Sequence, residues 1–211
     1  MADSKLYYAE TLNPRKVCAV AKYLDSPVEF VRVDLARGEH QTPEFAAINP
    51  NRKVPVLDLG DGRTIWESNA IMCYLARFAG SDLWPEDERQ VEVMRWLNWD
   101  AQHFAPVAGS FYFEYLIKPH FGMGEPDQAA LQRAGENFRK YGAVLSEHLA
   151  GRNYLVGERL SVADFAVAVT LPYAKVAHIP VAEFPEIERW HARLCELPAW
   201  REPFPAMKAA A

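Results

Sequence analysis

The spacing of apolar residues changes character near residue 80. Before that point short hydrophobic runs alternate with amphipathic stretches. Lys5–Tyr8 reads as a strand. Residues 14–24 form a helix with Val17, Val20, Ala21 and Leu24 on one face, and residues 28–33 form a second strand. A short helix over 43–47 follows. Val56, Leu57 and Leu59 then mark a buried strand, Asp61-Gly62 a hairpin turn, and Thr64–Trp66 the returning strand. Glu67-Ser68 opens a helix whose Ile71, Tyr74, Leu75 and Phe78 fall at the i, i+3, i+4, i+7 spacing.

Beyond a linker at 79–88, which contains Gly80, Asp82 and Pro85, the pattern is helical throughout. A long helix is predicted over 89–117, bent near Pro106 and Gly109, with a break at 118–127. Leu131, Ala134, Phe138, Tyr141, Leu145 and Leu149 alternate spacings of three and four, which makes them one buried face. Ser161 and Asp164 have the spacing of a structural capping box. Ile187, Trp190 and Leu194 mark a last amphipathic helix, and the tail at 198–204 is expected to fold back. The fold class is therefore α/β plus all-α, with an α/β domain at 1–80 and an all-helical domain at 89–211.

Composition narrows the setting. Of 211 residues, 50% are hydrophobic and 24% charged, and no apolar run approaches the roughly 20 residues needed to span a bilayer. The opening MADSKLYYAE lacks the basic start and apolar core of a secretion signal. Cys18, Cys73 and Cys195 have no metal or redox spacing and read as small buried hydrophobes inside helices. These features predict a soluble cytoplasmic protein with no membrane partner and no metal. The net charge of −5, without a basic stripe, argues against nucleic acid.

Two helix starts offer chemistry. At Glu67-Ser68 a carboxylate and a hydroxyl sit beside N–H groups that lack intrahelical partners, an arrangement that suits an anion and equally suits ordinary capping. At Asn13-Pro14 an asparagine cap followed by proline at the first helical position is the plain structural reading.

The segment INPNRKVPVLDLGDGRTIWESNAIMCYLA, residues 48–76, closely resembles the glutathione-binding half of the cytosolic glutathione S-transferases. KLYYAETLNPRKV, DLARGEHQTPEFAAINPNRKVP and GERLSVADFAVA extend the likeness to nearly the whole chain. The resemblance implies a thioredoxin-like N-terminal domain, an all-helical bundle domain and a homodimer. It implies a cis Pro55, with Val54 pairing its backbone to the cysteinyl part of glutathione. Glu67 would accept from the γ-glutamyl amine and Ser68 would bind the α-carboxylate. His40, Gln41 and Lys53 would lie near the glycyl carboxylate, with Arg52 left to solvent.

A free thiol has a pKa of about 8.5 and reacts as the thiolate, so such a site must lower that value. Tyr7 and Tyr8 lie inside the strand, which disfavours a tyrosine-type enzyme. Aligned on Arg15-Lys16-Val17, Thr11 takes the serine position of the theta-like, delta and phi classes, with Asn13 two residues on. This Thr-x-Asn pattern resembles the theta/nu-like bacterial type. Counting without a gap from Tyr7-Tyr8 instead puts Leu12 at the serine position and Asn13 where beta-class enzymes carry cysteine. Thr11 leads as the catalytic candidate, and Asn13 is divided between capping and catalysis. Trp96 and Trp99 read as core or subunit interface and His103 as an ordinary helix residue. Phe104, Tyr112 and Tyr115 are the candidates for a substrate pocket.

The implied activity is attack by glutathione thiolate, as co-substrate, on a small hydrophobic soft electrophile, with a detoxifying role. Two alternatives stand beside it: a nu-like glutathione-dependent disulfide-bond reductase, and a non-catalytic binding module of the same fold.

Overall fold

The computed structural model describes residues 3–206. The chain divides into two compact units: residues up to Trp84 joined by those from Leu197 onward, and Pro85–Glu196. The tail thus groups with the first unit and not with the helical one.

The first unit is a mixed sheet with helices. Its strands are β1 (Lys5–Tyr8), β2 (Glu29–Arg32), β3 (Val56–Asp58) and β4 (Thr64–Trp66), in the order β2-β1-β3-β4. β1 and β2 run parallel, so a crossover is required, and α1 (Leu12–Tyr23) supplies it. The other pairings are antiparallel, with Leu6 opposite Leu57 and Val56 opposite Trp66. α2 (Pro43–Ile48) precedes β3, and α3 (Ser68–Phe78) follows β4. Alternation along β1 buries Leu6 and Tyr8, while Tyr7 joins Val33, Phe45 and Val56 in a separate cluster beside α2. α1 and α3 pack together, and Val17 and Val20 of α1 and Ile71, Met72 and Leu75 of α3 are fully buried. This is the thioredoxin-like arrangement.

α1 begins two residues earlier than the asparagine-cap reading predicts. Thr11, extended at φ −128° and ψ 171°, is the N-cap, and its carbonyl accepts the first helical bond from the Arg15 N–H at 3.0 Å. Pro14 is accommodated in the first turn because N–H groups there have no intrahelical acceptor to lose. At the other end of the chain, α10 (Pro198–Arg201) lies on α1. The Arg15 guanidinium covers the Trp200 ring at 5.3 Å and donates to the Trp200 carbonyl at 2.7 Å. The Lys22 ammonium donates to the carbonyls of Glu202 and Phe204. The Phe204 ring stacks on Tyr8.

The second unit is helical. Residues 89–120 form one run in which α4 (Arg89–Trp99), α5 (Ala105–Tyr112) and α6 (Lys118–His120) are joined by π-turns at Asp100–Phe104 and Phe113–Ile117. Each π-turn ends two residues before a proline, Pro106 or Pro119. A proline ring clashes with the carbonyl four residues back, here 102 or 115, which lies mid-turn. Widening the helix there relieves the clash, so the bend predicted at Pro106 is met by a change of helical pitch.

α7 (Gln128–Leu149) is capped by Asp127, whose carboxylate accepts from the Ala129 and Ala130 N–H groups. It buries Leu131, Ala134, Phe138, Leu145 and Leu149, as their spacing predicts, while Tyr141 stays half-buried under the His103 ring. A Cβ at Gly142 would stand 2.7 Å from the Phe184 ring, so this helical glycine is a packing requirement.

Asp164, in the first turn of α8 (Val162–Val167), is fully buried and reaches Trp190 of α9 (Pro185–Leu194). It accepts from the Leu155 N–H, the Ser161 N–H and hydroxyl, and the Trp190 Nε1–H, at 2.9–3.0 Å. Burial pushes its carboxyl upward, and these donors oppose the shift.

Asp164→Ala would leave two backbone N–H groups and an indole N–H without an acceptor inside the unit. Each such group is worth about 1–3 kcal/mol, so the variant is expected to lose about 3 kcal/mol or more. Urea denaturation followed by circular dichroism would show this as a lowered midpoint.

Candidate active site

Within the first unit the N-termini of α1 and α3 come side by side, tied by two contacts. The Ser68 hydroxyl donates to Asn13 Oδ1 at 3.4 Å, and the buried Lys16 ammonium donates to Asn69 Oδ1 at 2.8 Å. Neither helix has an acidic residue in its first turn. Two positive helix ends with unpaired N–H groups favour an anion, and Glu67, the residue before α3, sets one carboxylate beside them.

Glu67, between β4 and α3, adopts φ 71° and ψ 113°, a left-handed conformation unusual for a residue with a side chain. Such backbone strain clusters at ligand sites. Its carboxylate is exposed beside the buried Ser68. The third wall is the loop from α2 to β3, where the Val54–Pro55 peptide bond is cis, as the resemblance implies. Asn49 is buried at the foot of this loop, and Arg52 has φ 52°.

These elements enclose a cleft of about 110 Å³ lined by Asn13, Asn49, Asn51, Lys53, Val54, Pro55, Glu67 and Ser68. The structure therefore brings together Asn13, Lys53, Val54, Glu67 and Ser68 from the residues the sequence marks. Asn13, as the second residue of α1, is not the helix cap and its side chain turns to the cleft. Thr11 holds the cap position, yet its side chain makes no capping bond; it is half-buried and not part of the cleft lining. His40 and Gln41 are not in the lining either. They occupy a single 3-10 turn, Glu39–Gln41, with His40 half-buried and Gln41 exposed. Sequence reasoning missed Asn49 and Asn51. The available signal was a pair of asparagines flanking Pro50 just before the Val-Pro step, since asparagine closes loops by bonding nearby backbone.

In the second unit Phe104 is a correction to the expected substrate pocket. It is fully buried between the rings of Trp99 and Phe138, at 5.5 and 5.3 Å, and serves as core. Tyr112 and Tyr115 are half-buried, against Tyr173 and His178 respectively. Trp96 and Trp99 meet edge to face and, with Arg95, Val144 and His148, line a separate cavity of about 290 Å³.

Burial pushes the thiols of Cys18 and Cys73 up to about 12, so neither supplies a thiolate near neutral pH. Among the described residues no group of three or more His, Cys, Asp or Glu side chains could hold a metal ion. No described helix is long and apolar enough to cross a membrane.

Comparison with known proteins agrees with this geometry. The chain matches the glutathione S-transferase N-terminal domain family over residues 4–77 and the glutathione S-transferase C-terminal domain family over 104–198. It is 34% identical to glutathione S-transferase 3 of Zea mays, over 96% of this chain and 93% of that protein. It is 29% identical to the disulfide-bond oxidoreductase YfcG of Escherichia coli (strain K12), over 92% and 91% of the two chains. Among solved structures, a glutathione S-transferase-I bound with lactoylglutathione superposes with a TM-score of 0.87 at 28% identity. That match covers 96% of this chain and 98% of the other. The expected theta/nu-like bacterial type is not supported, since the family matches do not specify it and plant transferases stand among the similar chains.

His148 gives a test of the cavity's polarity. Its Nε2 lies 2.8 Å from the Leu155 carbonyl and its ring 4.6 Å from that of Trp96. Burial, aided by Arg152 and Arg95, holds the imidazole below its usual value of 6.5 against the pull of the Leu155 carbonyl. The folded chain then binds this proton less readily than the unfolded one, so stability falls as pH drops through about 6.5 and levels off below the folded value. The melting-temperature advantage of wild type over His148→Gln should therefore shrink between pH 8 and pH 5.

Proposed function

The chain belongs to the glutathione S-transferase family and is a transferase, and we propose that it binds glutathione in the cleft between the α2–β3 loop and the start of α3. The observation that carries this reading is the Ser68–Asn13 tie at two adjoining helix N-termini, beside a cis Val54–Pro55 step. Glu67 accepts from the γ-glutamyl amine. On binding, the Ser68 hydroxyl turns from Asn13 to the ligand and, with the first N–H groups of α3, holds the α-carboxylate in charge-assisted hydrogen bonds. The Val54 backbone pairs with the cysteinyl residue. Lys53 meets the glycyl carboxylate, with His40 and Gln41 behind it.

Activation falls to Asn13 and Thr11. The Asn13 amide has Nδ2–H groups to donate to sulfur, and Thr11 has a hydroxyl uncommitted to capping. Donors at the positive end of α1 favour the thiolate over the thiol, so the proton leaves to solvent at a lower pH. The thiolate sulfur then forms a bond to an electrophilic carbon, whose leaving group departs with the bonding pair. Alternatively it attacks one sulfur of a disulfide and releases the other as a thiolate. The likeness to a bacterial disulfide-bond oxidoreductase supports the second reaction, disulfide reduction, as the alternative. Cys18 and Cys73 are held protonated and no cysteine lines the cleft, so glutathione itself supplies the attacking sulfur.

Tyr112 and Tyr115 are the pocket side chains for a hydrophobic electrophile. The same proposal includes a cytoplasmic, detoxifying homodimer. Exposed Val144 lines the Trp96–Trp99 cavity, and exposed Val91 and Met94 are close in sequence to Trp96; these support a second copy as the cover of that face.

Calorimetric titration with glutathione should show a loss of about 1.5–3 kcal/mol of binding in Glu67→Gln, which leaves the amine without a charged acceptor, and a clear loss in Ser68→Ala. Wild-type affinity in both would place the ligand elsewhere.

The bound thiol should titrate below about 8.5. Asn13→Ala should raise that value and slow turnover near neutral pH with binding nearly intact, because the lost bond favours the charged form. Since Asn13 is not the cap of α1, any loss of thermal stability in this variant reports the Ser68–Asn13 tie and not a lost cap. Thr11→Ala is expected to have the smaller effect. Assays with an aryl halide and with a mixed glutathione disulfide compare the two chemistries. A bound thiol with unshifted pKa and no turnover of either substrate identifies a non-catalytic binding module.

A further inference from the structure

We propose that Asn49 is a positioning residue of the cleft: through the Lys53 carbonyl it sets the direction of the Val54 N–H, and so prepares the backbone to pair with an extended peptide thiol. This rests on the reading of the cleft as a glutathione site.

Asn49 closes α2, donating its N–H to the Phe45 carbonyl at 2.9 Å, and is only 2% exposed. Its side chain then spans the loop. Nδ2–H donates to the Lys53 carbonyl at 2.7 Å, while Oδ1 accepts from the Asn51 N–H at 3.0 Å and from Asn51 Nδ2–H at 3.1 Å. Its own carbonyl accepts from the Arg52 N–H at 2.9 Å. The left-handed Arg52 reverses the chain within this ring of bonds.

The Lys53–Val54 peptide is trans, so its C=O and N–H point in opposite directions. With the carbonyl drawn inward onto Asn49, the Val54 N–H is turned away from the loop interior. Val54 precedes β3 and lies outside the register that pairs Tyr7 with Val56, so sheet pairing does not set this direction. A buried amide with both ends engaged does. An asparagine that only stiffened the loop would alter stability when replaced; a positioning residue alters one particular N–H.

The test uses the full chain labelled with nitrogen-15. Asn49→Asp keeps an oxygen for the Asn51 N–H but loses the Nδ2–H donor and sets a carboxylate against the Lys53 carbonyl. On adding glutathione to wild type, both the Val54 and Ser68 amide resonances should move. In Asn49→Asp the Ser68 resonance should still move, the Val54 resonance should not, and affinity should fall about tenfold, or about 1.4 kcal/mol. With an aryl halide, KM for glutathione should rise while kcat at saturation stays near wild type. Asn51→Ala, which removes only the outer amide bond, should keep the Val54 response. Wild-type affinity and an unchanged Val54 response in Asn49→Asp would overturn the proposal.

If wild type itself gives no response to glutathione, the functional reading fails. Asn49 is then judged on the unliganded protein: a Val54 amide with the same chemical shift and solvent exchange in both proteins overturns its role, and an altered one supports it. Should Asn49→Asp lose the dispersed spectrum of a folded chain, Asn49→Ser, too short to reach the Lys53 carbonyl and uncharged, is read in the same way.

Discussion

Two helix N-termini held side by side are the constraint on which the site depends. Helix ends carry unpaired N–H groups and partial positive charge, and bringing two together is unfavourable without something to hold them. Here the Ser68–Asn13 and Lys16–Asn69 hydrogen bonds and the apolar contact of α1 with α3 do so. The sheet makes the meeting possible. Because β1 and β2 are parallel, α1 must leave the end of β1, and the β3–β4 hairpin returns the chain to start α3 beside it. A polar cleft at that point follows from topology before any ligand is considered.

Around this fixed pair the remaining walls are irregular backbone. Glu67 and Arg52 hold positive φ without being glycine, and the Val54–Pro55 bond is cis. Their surroundings impose these conformations: Glu67 lies between a strand end and a helix start, and Arg52 sits in the loop closed by the Asn49 amide. The helical unit solves a different problem. Pro106 and Pro119 stand inside a long helix and are accommodated by π-turns, while the buried Asp164 gathers donors from three segments onto one carboxylate.

Much of this was legible in the residues alone. β1 and β4 fall at Lys5–Tyr8 and Thr64–Trp66, and α7 buries Leu131, Phe138, Leu145 and Leu149 as their spacing predicts, because periodicity records which face is buried. Asp164 as a structural cap and the Val54-Pro55, Glu67-Ser68 layout were likewise readable, since each is a short local pattern.

Other features were decided in three dimensions. Asn13-Pro14 looks locally like a cap followed by a first helical residue. A proline fits equally well later in the first turn, and only the folded chain makes Thr11 the cap and turns Asn13 toward Ser68. Phe104 and Tyr112 share one aromatic stretch, and sequence could not say that Phe104 would be enclosed by Trp99 and Phe138 while Tyr112 stayed half-buried. The tail rests on α1 through Arg15 and Lys22, about 180 residues away in sequence. Local spacing determined which segments form helices and strands; contacts between distant segments determined which polar side chains remain free to act, because a side chain's partners are set by what the fold brings beside it.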